Sequence, residues 1–293
     1  MTGHIITLLA PPARADLDEH RAHAIRDLFG GGDLTWLAPG IATEFHSTTL
    51  PEDAAAIAED TRMSGYDLVI QPAEGRRKSV LLADMDSTMI GQECIDELAD
   101  FAGVGERVAE ITARAMNGAL DFHEALIERV GLLSGLRLSI IDKVLDERIT
   151  LAPGGRELVA TMRANGGYCA LVSGGFTAFT GPVARALGFD EHRANILLDE
   201  DGVLTGHVAL PVLGRQAKVD ALNDITAARG LSPADVLAVG DGANDLGMLQ
   251  LAGTGVALHA KPVVAEQAAV RIDHADLTAL LYLQGYRRDE FAG

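Results

Sequence analysis

The spacing of apolar positions changes character partway along the chain. HIITLL (4–9) is a nearly unbroken apolar run and predicts a strand. An amphipathic helix is expected over about 16–29, short strands near 33–37 and 41–47, and an Ala-rich helix over about 51–64. A strand around YDLVI, at about 67–71, closes this first unit. The βαββαβ order is the ferredoxin-like arrangement. A short basic, polar seam, Gly75-Arg76-Arg77-Lys78-Ser79, follows it.

Beyond the seam the pattern is that of alternating strand and helix. SVLLAD (79–84) is apolar up to a final acid and reads as a buried parallel strand. Residues from about 91 to 148 carry apolar positions at helical spacing with no strand signal. YCALVS (168–173) is the next buried strand, after a helix that stops at Asn165-Gly166-Gly167. Asp201-Gly202, between two apolar stretches, signals a hairpin. A helix over about 214–229 leads to the strand DVLAVGD (235–241), and a further helix is expected from Ala243. TGVAL (254–258), a short helix and a strand near 269–272 complete the pattern. The expected fold is α/β: a Rossmann-like, doubly wound parallel sheet in residues 77–293, with a helical cap inserted at about 91–150 and a separate α+β unit in 1–76.

Composition narrows the class of partner. Of the 293 residues, 42 are acidic and 24 basic, a formal net charge of -18 that repels nucleic acid and anionic lipid. A small anionic substrate then needs local cations or a metal to hold it. The only cysteines, Cys94 and Cys169, sit in apolar segments and read as buried thiols of a reducing compartment. No apolar run approaches the ~20 residues of a membrane span. The start, MTGHIITLLAPPARA, lacks a cationic leader region, so a first strand is expected there rather than a signal peptide.

Three groups of residues lie where such sheets place their sites, at strand ends, and a helical lysine joins them. Asp84 and Asp86, in Asp84-Met85-Asp86-Ser87-Thr88, can face one pocket, one as nucleophile toward phosphorus and the other handling the leaving-group proton. The plain alternative is an acidic turn with Thr88 as a helix cap. Asp241, Asn244 and Asp245 follow the strand at 235–241; an oxygen-rich set of this kind suits Mg²⁺, although a Gly-rich turn and a cap explain it too. Ser173-Gly174-Gly175 can bring backbone N–H groups and a hydroxyl to a phosphate, yet loops use these residues constantly. Lys218, inside a helix, is by itself an ordinary surface charge, and only its company makes it a phosphate clamp.

Taken in order, these blocks resemble the haloacid dehalogenase superfamily of phosphatases. Within it, DMDSTMIGQECIDELA, DFHEALIERVGLL, VSGGFTAF and VGDGANDLGML are similar to blocks of the phosphoserine phosphatase family, over about residues 79–275. The resemblance implies hydrolysis of L-phosphoserine to L-serine and phosphate in the cytoplasm, the last step of serine biosynthesis, through an aspartyl-phosphate. It makes Asp84 the nucleophile and Asp86 the general acid and then base. Mg²⁺ would be held by the Asp84 side chain, the Asp86 backbone carbonyl and Asp241. Ser173, Gly174 and Lys218 would bind the phosphoryl group, with Asn244, Asp245 and Thr88 in support. In the insert, Glu93 would take the substrate ammonium and Arg129 its carboxylate, while Phe122 and Met116 line the same cap. Each also has a plain reading: Glu93 as a first-turn helix residue, Arg129 as a surface charge, Phe122 and Met116 as core.

The first unit has the order of an ACT-type domain, which often accompanies such phosphatases. Its first strand runs into PPARADLDEH, without the glycine those domains commonly use for amino acids. Packing on the catalytic unit, or forming a homodimer, is the role expected of it. Competing readings are a phosphatase for another small phosphomonoester, a phosphotransferase to an alcohol, a receiver-like signalling module and an inactive binding protein. Receivers lack a helical insert of this length, and no expected catalytic position is missing here.

Overall fold

A computed structural model describes residues 3–116 and 120–293, the side chains of residues 115 and 116 excepted. The front unit consists of β1 (His4–Leu9), α1 (Glu19–Leu28), β2 (Thr35–Ala38), β3 (Ala42–Ser47), α2 (Ala54–Met63) and β4 (Asp67–Pro72). Its antiparallel sheet has the order β2-β3-β1-β4. In the register, Ile6 stands opposite Phe45 on one side and Ile70 on the other. Alternate residues leave by opposite faces. Ile6, Leu8, Phe45 and Leu68 pack with Phe29 and Ile57, whereas Leu9, Ala42 and Val69 join the core of the larger unit. Both faces of β1 are thus covered, which explains why its sequence is an apolar run instead of an alternation.

Specific polar contacts close the seam between the units. Asp67, 1% exposed, accepts hydrogen bonds from the backbone N–H groups of Asp273 (2.8 Å), His274 (3.1 Å) and Ala275 (2.8 Å). Gln71 donates to the Leu283 carbonyl, and Arg76 spans from Glu44 to that same carbonyl.

The larger unit opens with β5 (Val80–Ala83), followed by the helical insert α3 (Cys94–Phe101), α4 (Gly105–Met116), α5 (Phe122–Gly131) and α6 (Ser139–Glu147). The insert is zipped at its base by the Ile90–Leu151 bridge and by Gln92 against Thr150. There follow α7 (Gly155–Ala164), β6 (Tyr168–Phe176), α8 (Thr177–Leu187), β7 (Glu191–Asn195) and the hairpin β8 (Leu197–Glu200)–β9 (Val203–Val208). The chain ends with α9 (Arg215–Arg229), β10 (Val236–Gly240), α10 (Leu246–Leu251), β11 (Thr254–Leu258), α11 (Pro262–Ala265), β12 (Val270–Ile272) and α12 (Ala279–Leu283). The main sheet is parallel, in the order β12-β11-β10-β5-β6-β7. Leu81 and Ala83 of β5 enter one core and Val80 and Leu82 the other, so helices cover both faces.

The observed elements depart from the expected ones at three places. β7 (EHRAN) gave no strand signal because it is an edge strand and tolerates polar residues. The helix expected from Ala243 starts at Leu246, since the Asp245 carboxylate accepts the Gly242 N–H and holds residues 241–245 in a turn. α12, five buried residues near the C-terminus, was not anticipated. The hairpin turn has Asp201 and Gly202 both at positive φ (52° and 76°), as a type I′ turn requires. Among the described residues no helix is long and apolar enough to cross a membrane.

Candidate active site

From β5 the chain moves to β6 and β7 on one side, then crosses to β10 on the other. That reversal opens a crevice at the carboxyl end of β5, the switch point at which open α/β sheets bind ligands. Asp84 leaves β5 there, its backbone N–H held by the Val239 carbonyl of β10 at 3.0 Å. Asp241 follows β10, and Ser173 lies within β6. Lys218, 1% exposed, reaches in from the first turn of α9, its Nζ 2.6 Å from Asp84 Oδ1 and 2.5 Å from Asp245 Oδ1. One oxygen from each of Asp84, Asp241 and Asp245 lies within 4.8 Å of the others. The helical lysine is therefore no surface charge. Buried Thr88 donates to Asp241 Oδ1 at 3.4 Å. The Gly175 N–H donates to Ser173 Oγ at 2.9 Å. Asn244 is half-buried, and its amide has no protein hydrogen bond among the described residues.

The cap supplies the other wall. The Asp86 carboxylate accepts the Cys94 N–H at the start of α3 (3.2 Å), and Glu93, the N-cap residue, accepts the Ser87 hydroxyl at 2.9 Å. Arg129 on α5 is half-buried and donates Nε–H to its own helix, at the Ala125 carbonyl (3.2 Å). It forms no salt bridge among the described residues. A methyl group on Gly174 would come within 3.1 Å of Phe122 Cζ, and one on Gly214 within 3.1 Å of Phe122 Cδ1. The Phe122 ring therefore lies against both glycines, closing the cap over the Ser173 loop. Met116 ends α4, and its side chain lies outside the described residues. Two contributors escaped the sequence reading. Ser87, at a left-handed φ of 56°, orients Glu93, and its only signal was its place in the Asp84–Thr88 block. Lys261, 3.7 Å from Asp241, gave none.

A family model described as haloacid dehalogenase-like hydrolase matches residues 81–250, spanning every strand end described above. This chain belongs to that family. A phosphoserine phosphatase of Streptomyces coelicolor is 42% identical over 253 residues, 86% of this chain and 60% of that protein. The chain thus spans less than two thirds of that relative's length. A phosphoserine phosphatase of Streptococcus thermophilus is 46% identical over 200 residues, 68% of this chain and 93% of that one. A haloacid dehalogenase family hydrolase of Salmonella enterica serovar Typhi superposes with a TM-score of 0.87 at 30% identity, covering 97% of this chain and 98% of its own.

The electrostatics of this hydrolase fold's pocket are unbalanced as it stands. Three acid side chains, Asp84, Asp241 and Asp245, surround one ammonium. Burial and then Asp245 push the Asp84 carboxyl well above its ordinary range, against the pull of Lys218. Burial takes Asp241 up to about 6, with Lys261 opposing. Burial acts against the Lys218 charge, but Asp245 and Asp84 outweigh it and hold the ammonium above its usual value. A divalent cation among these oxygens would restore the balance, and an all-oxygen donor set suits a hard ion. Asp86 is a different case: burial and then the Glu93 carboxylate push it up to about 7, despite the Cys94 N–H. Near neutral pH it can hold a proton and give it up.

Proposed function

We propose that this chain hydrolyses L-phosphoserine to L-serine and phosphate, with Mg²⁺ as its cofactor. The observation that carries this reading is the pairing of two cation sites across one pocket. On the floor, buried Lys218 bridges Asp84 and Asp245. In the cap, Arg129 has Asp96, Glu93 and Asp86 near it but no salt-bridge partner among the described residues. A phosphate on the floor and an amino-acid head group in the cap fill both. Burial lowers the Arg129 pKa, and a substrate carboxylate would stabilise its charge through a bidentate pair. Glu93, fixed by Ser87, faces the substrate ammonium.

In the proposed reaction an Asp84 oxygen attacks phosphorus and the bond from phosphorus to the serine oxygen breaks. Protonated Asp86 gives that oxygen its proton. Asp86 then takes a proton from water, whose oxygen attacks phosphorus, releasing phosphate and restoring Asp84. Asp84, Asp241 and the Asp86 carbonyl would hold Mg²⁺, with Asp245 beside them. The ion would neutralise phosphoryl charge as it develops. Ser173, Gly174, Lys218 and Asn244 bind phosphoryl oxygens, and Phe122 excludes water. Residues 1–76 form an ACT-like unit packed on the phosphatase unit, a division supported by the strand order and the Asp67 seam. The buried free thiols Cys94 and Cys169 favour the cytoplasm. The test is phosphate release from L-phosphoserine, with Mg²⁺ or with EDTA, beside a panel of phosphomonoesters. Metal-dependent preference for phosphoserine is expected. Preference for another ester would overturn the substrate.

A further inference from the structure

The β6–β7 ladder breaks where β6 enters the pocket. Ala170, Leu171 and Val172 pair with Glu191, His192 and Arg193, and the next pair is Phe176 with Asn195. Ser173, Gly174 and Gly175 thus stand against the single residue Ala194, a bulge that frees this loop from the sheet. The Asn195 side chain, 2% exposed, makes up for the missing ladder bonds. Its Nδ2 donates to the Gly174 carbonyl at 2.9 Å and to the Leu213 carbonyl at 3.1 Å, while Oδ1 accepts the Leu213 N–H at 2.7 Å. Two carbonyls and one N–H as partners admit only this orientation of the amide.

Each end of this clasp leads to a different phosphate-binding arm. The Gly174 carbonyl and the Gly175 N–H belong to one planar peptide, so holding the first aims the second. The Gly175 N–H is the donor to Ser173 Oγ. Among the described residues the Ser173 hydroxyl has no protein acceptor, so its proton is left for an outside one. At the other end, Leu213 precedes Gly214, the N-cap of α9, whose first turn carries Lys218. No other side chain among the described residues hydrogen-bonds to both segments.

We propose that Asn195 is a positioning residue that sets the distance between the Ser173 and Lys218 arms, so that both reach one phosphoryl group. The proposal rests on the reading of this pocket as a phosphoryl site. It separates anion binding from metal binding, because no metal-ligand candidate hydrogen-bonds to Asn195.

The experiment compares wild type with Asn195→Ala for orthophosphate affinity in saturating Mg²⁺, Mg²⁺ affinity, and kcat and KM. Expected are a loss of about 10²-fold in kcat/KM, the scale of a 1 Å misplacement, a matching loss of orthophosphate affinity, and unchanged Mg²⁺ affinity. In a Ser173→Ala background the same substitution should cost much less, because one arm is already gone. Unchanged orthophosphate affinity, or full additivity with Ser173→Ala, would overturn the proposal. Should Asn195→Ala fail to fold, Asn195→Asp keeps the shape and the acceptor but removes both donors, and the same criteria apply. A wild type that binds orthophosphate but leaves phosphoserine intact discards the substrate alone, and the Asn195 comparison still decides the clasp.

Discussion

Lys218 Nζ and Asp84 Oδ1 lie 2.6 Å apart with both residues buried, and Asp245 closes on the same ammonium at 2.5 Å. The lysine thereby offsets part of the negative charge of the site and leaves its Nζ at the floor of the crevice. Removing one member of such a buried set strands the others. Lys218→Ala should lower the stability of the metal-free protein by roughly 3 kcal/mol, and Mg²⁺ should recover part of that. Thermal melts with and without Mg²⁺ read both. A variant as stable as wild type in EDTA would show that the ammonium does not balance these acids.

Asp84→Asn removes the nucleophile while preserving shape and the Met85 N–H contact to Oδ1. The amide also avoids the cost of a buried charge. Turnover should be abolished with the melting temperature held or raised. Residual activity above about a thousandth of wild type would assign the attack on phosphorus elsewhere.

Metal affinity should depend on pH with a defined sign. Asp241 is pushed up to about 6 by burial, so protons compete for its oxygens below that value and not well above it. Mg²⁺ affinity should fall as pH drops through about 6. Calorimetric titration at pH 5, 6 and 7.5 measures it, with proton release on binding at the lower values. Affinity independent of pH over that range would remove Asp241 from the ligand set.

Much of this was legible in the sequence for a physical reason. Strands buried on both faces are apolar runs, and the acids that end them sit at the carboxyl edge of the sheet, so Asp84, Ser173 and Asp241 could be placed before any coordinates. What escaped depends on contacts made across the fold. Asp67 in DLVIQP looks like a strand residue, yet it binds three backbone N–H groups of residues 273–275. Asn195 ends an edge strand whose polar sequence gave no strand signal. Lys218 stands out only through the company of the other three groups, because helical periodicity does not say that its ammonium turns inward to Asp84.

Arg129 separates substrate recognition from chemistry. It sits on α5 in the cap, and among the described residues its only hydrogen bond is to the Ala125 carbonyl of its own helix. Removing it should leave the floor of the pocket unchanged. A phosphoserine carboxylate would lose a charge-assisted, bidentate partner, a loss of roughly 2–3 kcal/mol, or about 30- to 150-fold. An aryl phosphate has no carboxylate to lose. Arg129→Ala should therefore raise KM for phosphoserine by that factor and change kcat/KM for an aryl phosphate by less than about threefold. Equal losses on the two substrates would make Arg129 a structural element of the cap, and the amino-acid specificity would have to be sought in Glu93 alone.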